Sequence, residues 1–174
     1  MTDHLPTGTE APTGAPAAGW TAMLQELSET AGTYWLTATR DGSVPHTRPL
    51  LAVWARGLPH FACGQGTAKA RLLTEGSPVS LAVSTGHWDV VVEGPVERVR
   101  DTGRVRVVAE TYPVVYGWAP LPEGDLLVGP DGAPTAGPPP YAVFVVRTST
   151  VYAFPTDATG HGPTRWRFAP PEGS

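Results

Sequence analysis

The sequence predicts a mainly β protein with short helices, folded as a small antiparallel barrel of six strands. Three observations carry that expectation. Apolar and polar residues alternate with period two over several short runs. Hairpin-type turns separate the early runs. Only 16% of residues are charged against 41% hydrophobic, which suits a compact chain with much of its length in sheet. A twisted sheet with helices on one face is the alternative arrangement of the same elements.

At 174 residues the chain reads as one domain with loose ends, long enough to bury a core. Its 20 Gly and 20 Pro concentrate in the first 19 residues, around 117–140 and after 155. Residues 1–19, MTDHLPTGTEAPTGAPAAG, offer little to bury and are expected to form a disordered tail. The domain is placed at 20–168, with a C-terminal tail at 169–174.

The elements follow in order. Trp20 to Ala31 reads as a helix, with Met23, Leu24 and Leu27 at helical spacing and Gly32 as its stop. In TYWLTATR the period becomes two: Tyr34, Leu36 and Ala38 share one face, and Trp35, Thr37 and Thr39 the other. Asp41-Gly42 signals a hairpin into a second strand, His46 to Trp54, nearly all apolar after Pro49 and so read as buried on both sides. Arg56-Gly57 turns the chain into a third, LPHFACG. A helix starting near Thr67 ends at Gly76 with Pro78 beyond. VSLAVST (79–85) and WDVVVEGPVERV (88–99) are two more strands, the latter with a bulge or bend at Gly94-Pro95. A helix from Asp101 to Tyr112 turns Val105, Val108 and Tyr112 inward, 113–140 reads as a surface loop, and YAVFVVRTSTVYAF (141–154) returns to strand. PTRWRF (163–168) sets two arginines around a tryptophan.

A net charge of −4 and a pI near 5.7 weigh against nucleic-acid or anionic-membrane partners. The single Cys63 excludes an internal disulfide and reads as a small buried hydrophobe. No Lys or Arg precedes Arg40, so no secretory or transit signal is expected, and no apolar run reaches the ~18 residues of a membrane helix. The expected location is the cytoplasm. The five histidines stand singly, which gives no zinc pattern. No GxSxG occurs, so no catalytic nucleophile is assigned. His60 reads as structural, and Trp35 and Trp54 read as core.

Lys69, in GQGTAKARLL, is the only lysine among 12 basic residues. With Thr67 as N-cap it falls in the first helical turn, where the macrodipole disfavours a cation by ~0.3–1 kcal/mol. Free backbone N–H groups, Lys69 and Arg71 together would suit a phosphate. The competing reading is a solvated helix face. No GxxxxGK[ST] loop is present.

The order YWLTATRDGSVPHTRPLLAVW, LPHFACGQGTAKARLL, SPVSLAVSTGHWDVVVEGPVERV resembles the pyridoxamine 5′-phosphate oxidase-like, FMN-binding split-barrel superfamily. More narrowly, it is similar to the actinobacterial flavin/deazaflavin branch, over roughly residues 20–168. The resemblance implies a homodimer of six-stranded split barrels with FMN, or the deazaflavin F420, in grooves between subunits. It gives Lys69 and Arg71 the role of clamping the cofactor phosphate, assisted by Thr67. It lays His46, Thr47, Arg48 and Pro49 along the ring and ribityl chain, and it sends Trp166 and Arg167 to the partner's site. Trp88 and Asp89 would lie near the groove, and Tyr112, Tyr116 and Trp118 would wall the substrate. Ala68 and Leu72 depart from the Arg and Asn common among relatives at those positions. The implied activity is hydride transfer to or from a small organic substrate. The alternatives are a non-catalytic flavin- or haem/tetrapyrrole-binding module, with His87 or His161 as haem ligand, and a dimer with an empty groove.

Overall fold

A computed structural model describes residues 4–39, 44–129, 136–158 and 160–169. In chain order its elements are β1 (Gly8–Glu10), α1 (Trp20–Glu29), β2 (Tyr34–Ala38), β3 (His46–Leu50), β4 (Ala52–Ala55), β5 (Leu58–Gly64), α2 (Ala68–Leu72), β6 (Pro78–Ser84) and β7 (Trp88–Arg98). There follow α3 (Thr102–Tyr116), β8 (Leu121–Glu123), β9 (Leu126–Val128), β10 (Tyr141–Val146), β11 (Thr150–Pro155) and β12 (Thr164–Arg167).

All twelve strands belong to one antiparallel sheet system, where six were expected. The 46–54 run breaks at Leu51 into β3 and β4, and the 141–154 run breaks at 147–149 into β10 and β11. Strands β1, β8 and β9 come from segments read as tail or loop, and β12 from 163–168, a segment of the domain to which no element was assigned. β2 lies between β3 and β6, and β6 pairs with β7. On the other edge of β7, Trp88–Glu93 pair with β11, whereas Val96–Arg98 pair with β10, which leads on to β5 and β4. β3 pairs with β2 and β4 with β5, so the ladder splits at Leu51 instead of closing.

β7 runs unbroken through Gly94-Pro95, in register with Val79 and Pro78, so the expected bend is a change of partner. The 147–149 link crosses here: Arg147 N donates to Pro95 O at 2.9 Å and Ser149 N to Glu93 O at 2.8 Å. A Cβ on residue 94 would overlap the Arg147 carbonyl, which explains the glycine.

The segment expected as a disordered tail departs furthest from its reading. β1 pairs with β12, Gly8 opposite Arg167 and Glu10 opposite Arg165. Glu10 accepts from both guanidiniums. The His4 ring stacks on Phe168 at 4.7 Å, and Ala18 N donates to Thr164 Oγ1 at 3.0 Å. The described part of 1–19 is therefore a strap along the sheet edge, held by backbone ladder and ion pairs that low apolar content does not forbid.

Two apolar clusters hold the sheet. One gathers Tyr34, Leu36, Phe61, Leu81, Val92, Val151 and Trp166 beneath Trp20, Met23 and Leu27 of α1. The other packs Val105, Val108 and Tyr112 of α3 on Val53, Ala62, Val143 and Val145. β5 and β10 are consequently buried on both faces, whereas the first three residues of β3, expected at the start of a buried strand, are exposed. α3 runs past its expected end to Tyr116, with Pro113 inside it, and stops at Gly117 (φ 70°). The region read as a loop also holds the β8–β9 hairpin, which pairs with β10. The Asp41-Gly42 turn lies outside the described residues; the strands it joins pair antiparallel, Ala38 opposite His46. Among the described residues no helix is long and apolar enough to cross a membrane.

Candidate functional site

The residues singled out on β3 and α2 meet. Gly64 ends β5, and a Cβ there would lie 2.6 Å from the Pro138 carbonyl; the bare backbone instead lets Gly64 N reach Ala136 O at 2.7 Å. That contact fixes the turn leading into α2. Thr67 is the expected N-cap: its Oγ1 accepts from Ala70 N at 3.2 Å and donates to Gly64 O at 2.8 Å. The hydroxyl's single hydrogen is thus engaged in the turn. With five residues, α2 is little more than one turn, so its dipole is a smaller contribution than the sequence suggested.

Lys69 differs from its expected placement. It is 8% exposed, not solvent-facing, and its Nζ donates to the Pro49 carbonyl at 2.9 Å, joining α2 to β3. Burial holds the amine below the ordinary lysine range; the nearby Cys63 thiol opposes this and the like charge of Arg48 adds to it. Arg48 itself donates to the Thr47 carbonyl at 2.8 Å, and the Thr47 hydroxyl meets that of Thr37 at 2.9 Å. Cys63 is buried as expected, with Sγ 3.1 Å from Thr67 Oγ1, and burial pushes its thiol up. Arg48, Pro49, Thr67 and Lys69 therefore form one cationic strip, with Arg71 exposed on the same turn and His46 exposed at the far end of β3.

Trp166 and Arg167 are elsewhere. Alternation along β12 turns Trp166 inward, 0% exposed, with its ring 5.5 Å from that of Trp20. The expectation that it reaches a partner's site is corrected: it is core of its own chain. Arg167 points outward but is bound to Glu10, and β2, β6, β7 and β11 separate its strand from β3. Trp88 is buried, 6.1 Å from the His161 ring, and Asp89 is exposed.

The tyrosines read as substrate walls are structural. Tyr112 OH donates to Leu51 O at 3.2 Å and accepts from Ala62 N at 3.0 Å, and Tyr116 OH donates to Ala52 O at 2.9 Å. They pin the point where β3 passes into β4. Trp118 packs edge-on against Tyr112 at 4.8 Å. Trp54 is core, as expected, and donates to Tyr34 OH at 3.0 Å. Trp35 is not: it stands 49% exposed on the outer face, in a cross-strand row with Ala82 and Val91.

No protein-family signature and no curated relative matches the chain. Solved structures do. An FAD-binding protein from Mycobacterium smegmatis is 17% identical, with a TM-score of 0.52 over 87% of this chain and 98% of that one. The chain shares its fold with cofactor-binding proteins. An FAD-binding protein from Mesorhizobium loti is 16% identical, with a TM-score of 0.54 over 88% of this chain and 98% of that one. A haem-binding protein from M. smegmatis is 11% identical, with a TM-score of 0.55 over 79% of this chain and 55% of that one. Such identities establish the fold, consistent with the FMN-binding split barrel, and leave function to the site.

Proposed function

We propose that the protein binds a flavin-type cofactor, FMN or deazaflavin F420, along β3 and α2, and acts as an oxidoreductase on a small organic substrate. The observation that carries this reading is the Lys69 amine, buried near a second cation and fixed by the Pro49 carbonyl. A dianionic phosphate at this strip would offset the cost of holding two positive charges together. The donor set fits such a group: Lys69 and Arg71 would hold the phosphate, and the exposed edge of β3 from His46 to Arg48 would lie along the rest. Thr67 orients the turn, its hydroxyl being spent on Gly64 O. When bound, the cofactor would supply the hydride chemistry; the chain's part is to bind it, orient it and keep its phosphate neutralised.

Lys69→Met keeps the buried stem and removes the charge. It is expected to weaken FMN or F420 binding about 10- to 100-fold, the value of a charge-assisted hydrogen bond, and to lower stability by about 1 kcal/mol through the lost bond to the Pro49 carbonyl. Fluorescence titration with each cofactor checks this. Unchanged affinity with a stable variant removes the clamp.

A homodimer belongs to the same proposal. Trp35, Ala82 and Val91 line a shallow cavity of about 350 Å³ on the outer face of β2, β6 and β7, and a half-exposed indole there suits burial against a second copy. Trp35→Glu is expected to shift the sedimentation coefficient to that of a monomer. A wild-type monomer, or a dimeric variant, removes this face from the proposal.

One observation favours the second reading, a haem/tetrapyrrole-binding module. His87 is exposed with its Nδ1 held 2.8 Å from the Asp157 carboxylate, an arrangement that orients an imidazole for ligation through its other nitrogen. An absorption spectrum after haem addition separates the readings, since only a ligated haem gives a sharp, shifted Soret band.

A further inference from the structure

Residues 136–138, from the region read as a surface loop, grip the turn that carries the cationic strip. Gly64 N donates to Ala136 O at 2.7 Å, and a Cβ on residue 64 would lie 2.6 Å from Pro138 O and 2.8 Å from Ala136 O. Both are backbone atoms with no room to yield, so the segments lie this close only because residue 64 is glycine. One residue on from Ala136, Gly137 takes a left-handed φ of 79°. A Cβ there would lie 2.6 Å from the Thr67 Cγ2 methyl.

That methyl cannot turn aside. Rotation about χ1 would carry Oγ1 with it. Oγ1 accepts from Ala70 N at 3.2 Å, donates to Gly64 O at 2.8 Å and lies 3.1 Å from Cys63 Sγ. Any group larger than hydrogen at 137 therefore pushes on the whole Thr67 cap, and with it on the short helix α2. Lys69 is the second residue of that helix, and its Nζ reaches Pro49 O on β3 at 2.9 Å, a contact that a displaced α2 would lose.

We propose that Gly137, acting through the Thr67 methyl, positions Lys69, so that the loop segment 136–138 sets how well the strip holds a phosphate group. The inference rests on the cofactor reading for its ligand, but not for the placement of the amine. Gly137 is a positioning residue: it is exposed, has no side chain and acts only by leaving Thr67 its space.

Lys69 is the only lysine, so in full-length protein isotopically labelled at lysine Cε a single NMR signal reports its surroundings without any cofactor. Gly137→Ala is expected to shift that signal and to weaken FMN or F420 binding, by fluorescence titration, about tenfold. Thr67→Ser deletes the methyl and keeps the hydroxyl cap. In the double variant Thr67→Ser/Gly137→Ala both readouts should return to those of Thr67→Ser alone. The melting temperature should stay low, since alanine at a left-handed φ is strained in either background. That split separates positioning from a general loss of stability. Should Gly137→Ala not fold, Thr67→Val carries the test: it keeps the methyl against residue 137, removes the hydroxyl that pins it, and should shift the lysine signal likewise. A lysine signal unmoved in folded Gly137→Ala or Thr67→Val, or one that the double variant fails to restore, overturns the proposal. A wild type that binds neither cofactor, with the lysine signal behaving as stated, overturns the cofactor reading and leaves the positioning of Lys69 standing.

Discussion

Replacing Trp166 by alanine is expected to lower folding stability by about 3–5 kcal/mol, the range for a large aromatic deleted from a core. The indole is 0% exposed and lies 5.5 Å from Trp20, which in turn meets Phe168 at 4.9 Å and Trp54 at 6.3 Å. Trp166 thus ties α1 to the edge of the sheet, and its removal leaves a cavity among rings that cannot close over it. Its Nε1 has no partner among the described residues, so no hydrogen bond seen there is lost and the effect is one of packing. The comparison that decides is Arg167→Met, which gives up one exposed ion pair to Glu10 and should change stability by less than about 1 kcal/mol. Urea unfolding followed by circular dichroism, with an FMN titration of the folded fraction, separates packing from binding. A Trp166→Ala variant of native stability that had lost only cofactor affinity would return this residue to the groove.

The contrast shows where sequence reasoning stopped. Period two along 163–168 makes Trp166 and Arg167 face opposite ways, but the partner strand decides which way is in. That partner is β11, together with a strap more than 150 residues away in sequence. The strap escaped notice because ladder hydrogen bonds are made by any backbone, and Glu10 finds Arg165 and Arg167 only in three dimensions. Thr67 was legible as an N-cap because capping is local, one side chain and the N–H three residues on. Lys69 was not, since its acceptor is the Pro49 carbonyl, 20 residues away on another element. Tyr112 and Tyr116 show the same limit: their hydroxyls hold Leu51 and Ala52, and nothing in their own segment says so. The strands of the barrel could be read because alternation and turn residues are short-range signals, as at Arg56-Gly57, where φ values of 53° and 76° make the turn the sequence suggested.

Acid should destabilise this protein through His60. The side chain is 2% exposed on β5, with Nδ1 2.9 Å from the Leu58 carbonyl. Burial, the largest cause, together with the positive charges of Arg104, Arg147 and Arg56, holds its pKa at about 3, against an ordinary 6.5. These cations come from α3, the link after β10 and the β4–β5 turn. Of the acids among them, Glu97 is bound to Arg147 at 2.6 Å and Asp101 caps α3, so neither is placed to stabilise an imidazolium. Between pH 6.5 and 3 the unfolded chain binds a proton that the native protein refuses. The stability contributed by neutral His60 is therefore intact above pH 6.5 and is lost as pH falls toward 3. The slope is about 1.4 kcal/mol per pH unit, which removes roughly 3 kcal/mol by pH 4. Urea midpoints at pH 7, 5.5 and 4 measure it. His60→Leu should flatten the acid limb by that amount even if its stability at pH 7 differs from wild type, because the variant has no proton to gain there. An acid limb of equal slope in both proteins would place the loss in other groups and leave His60 an ordinary buried ring.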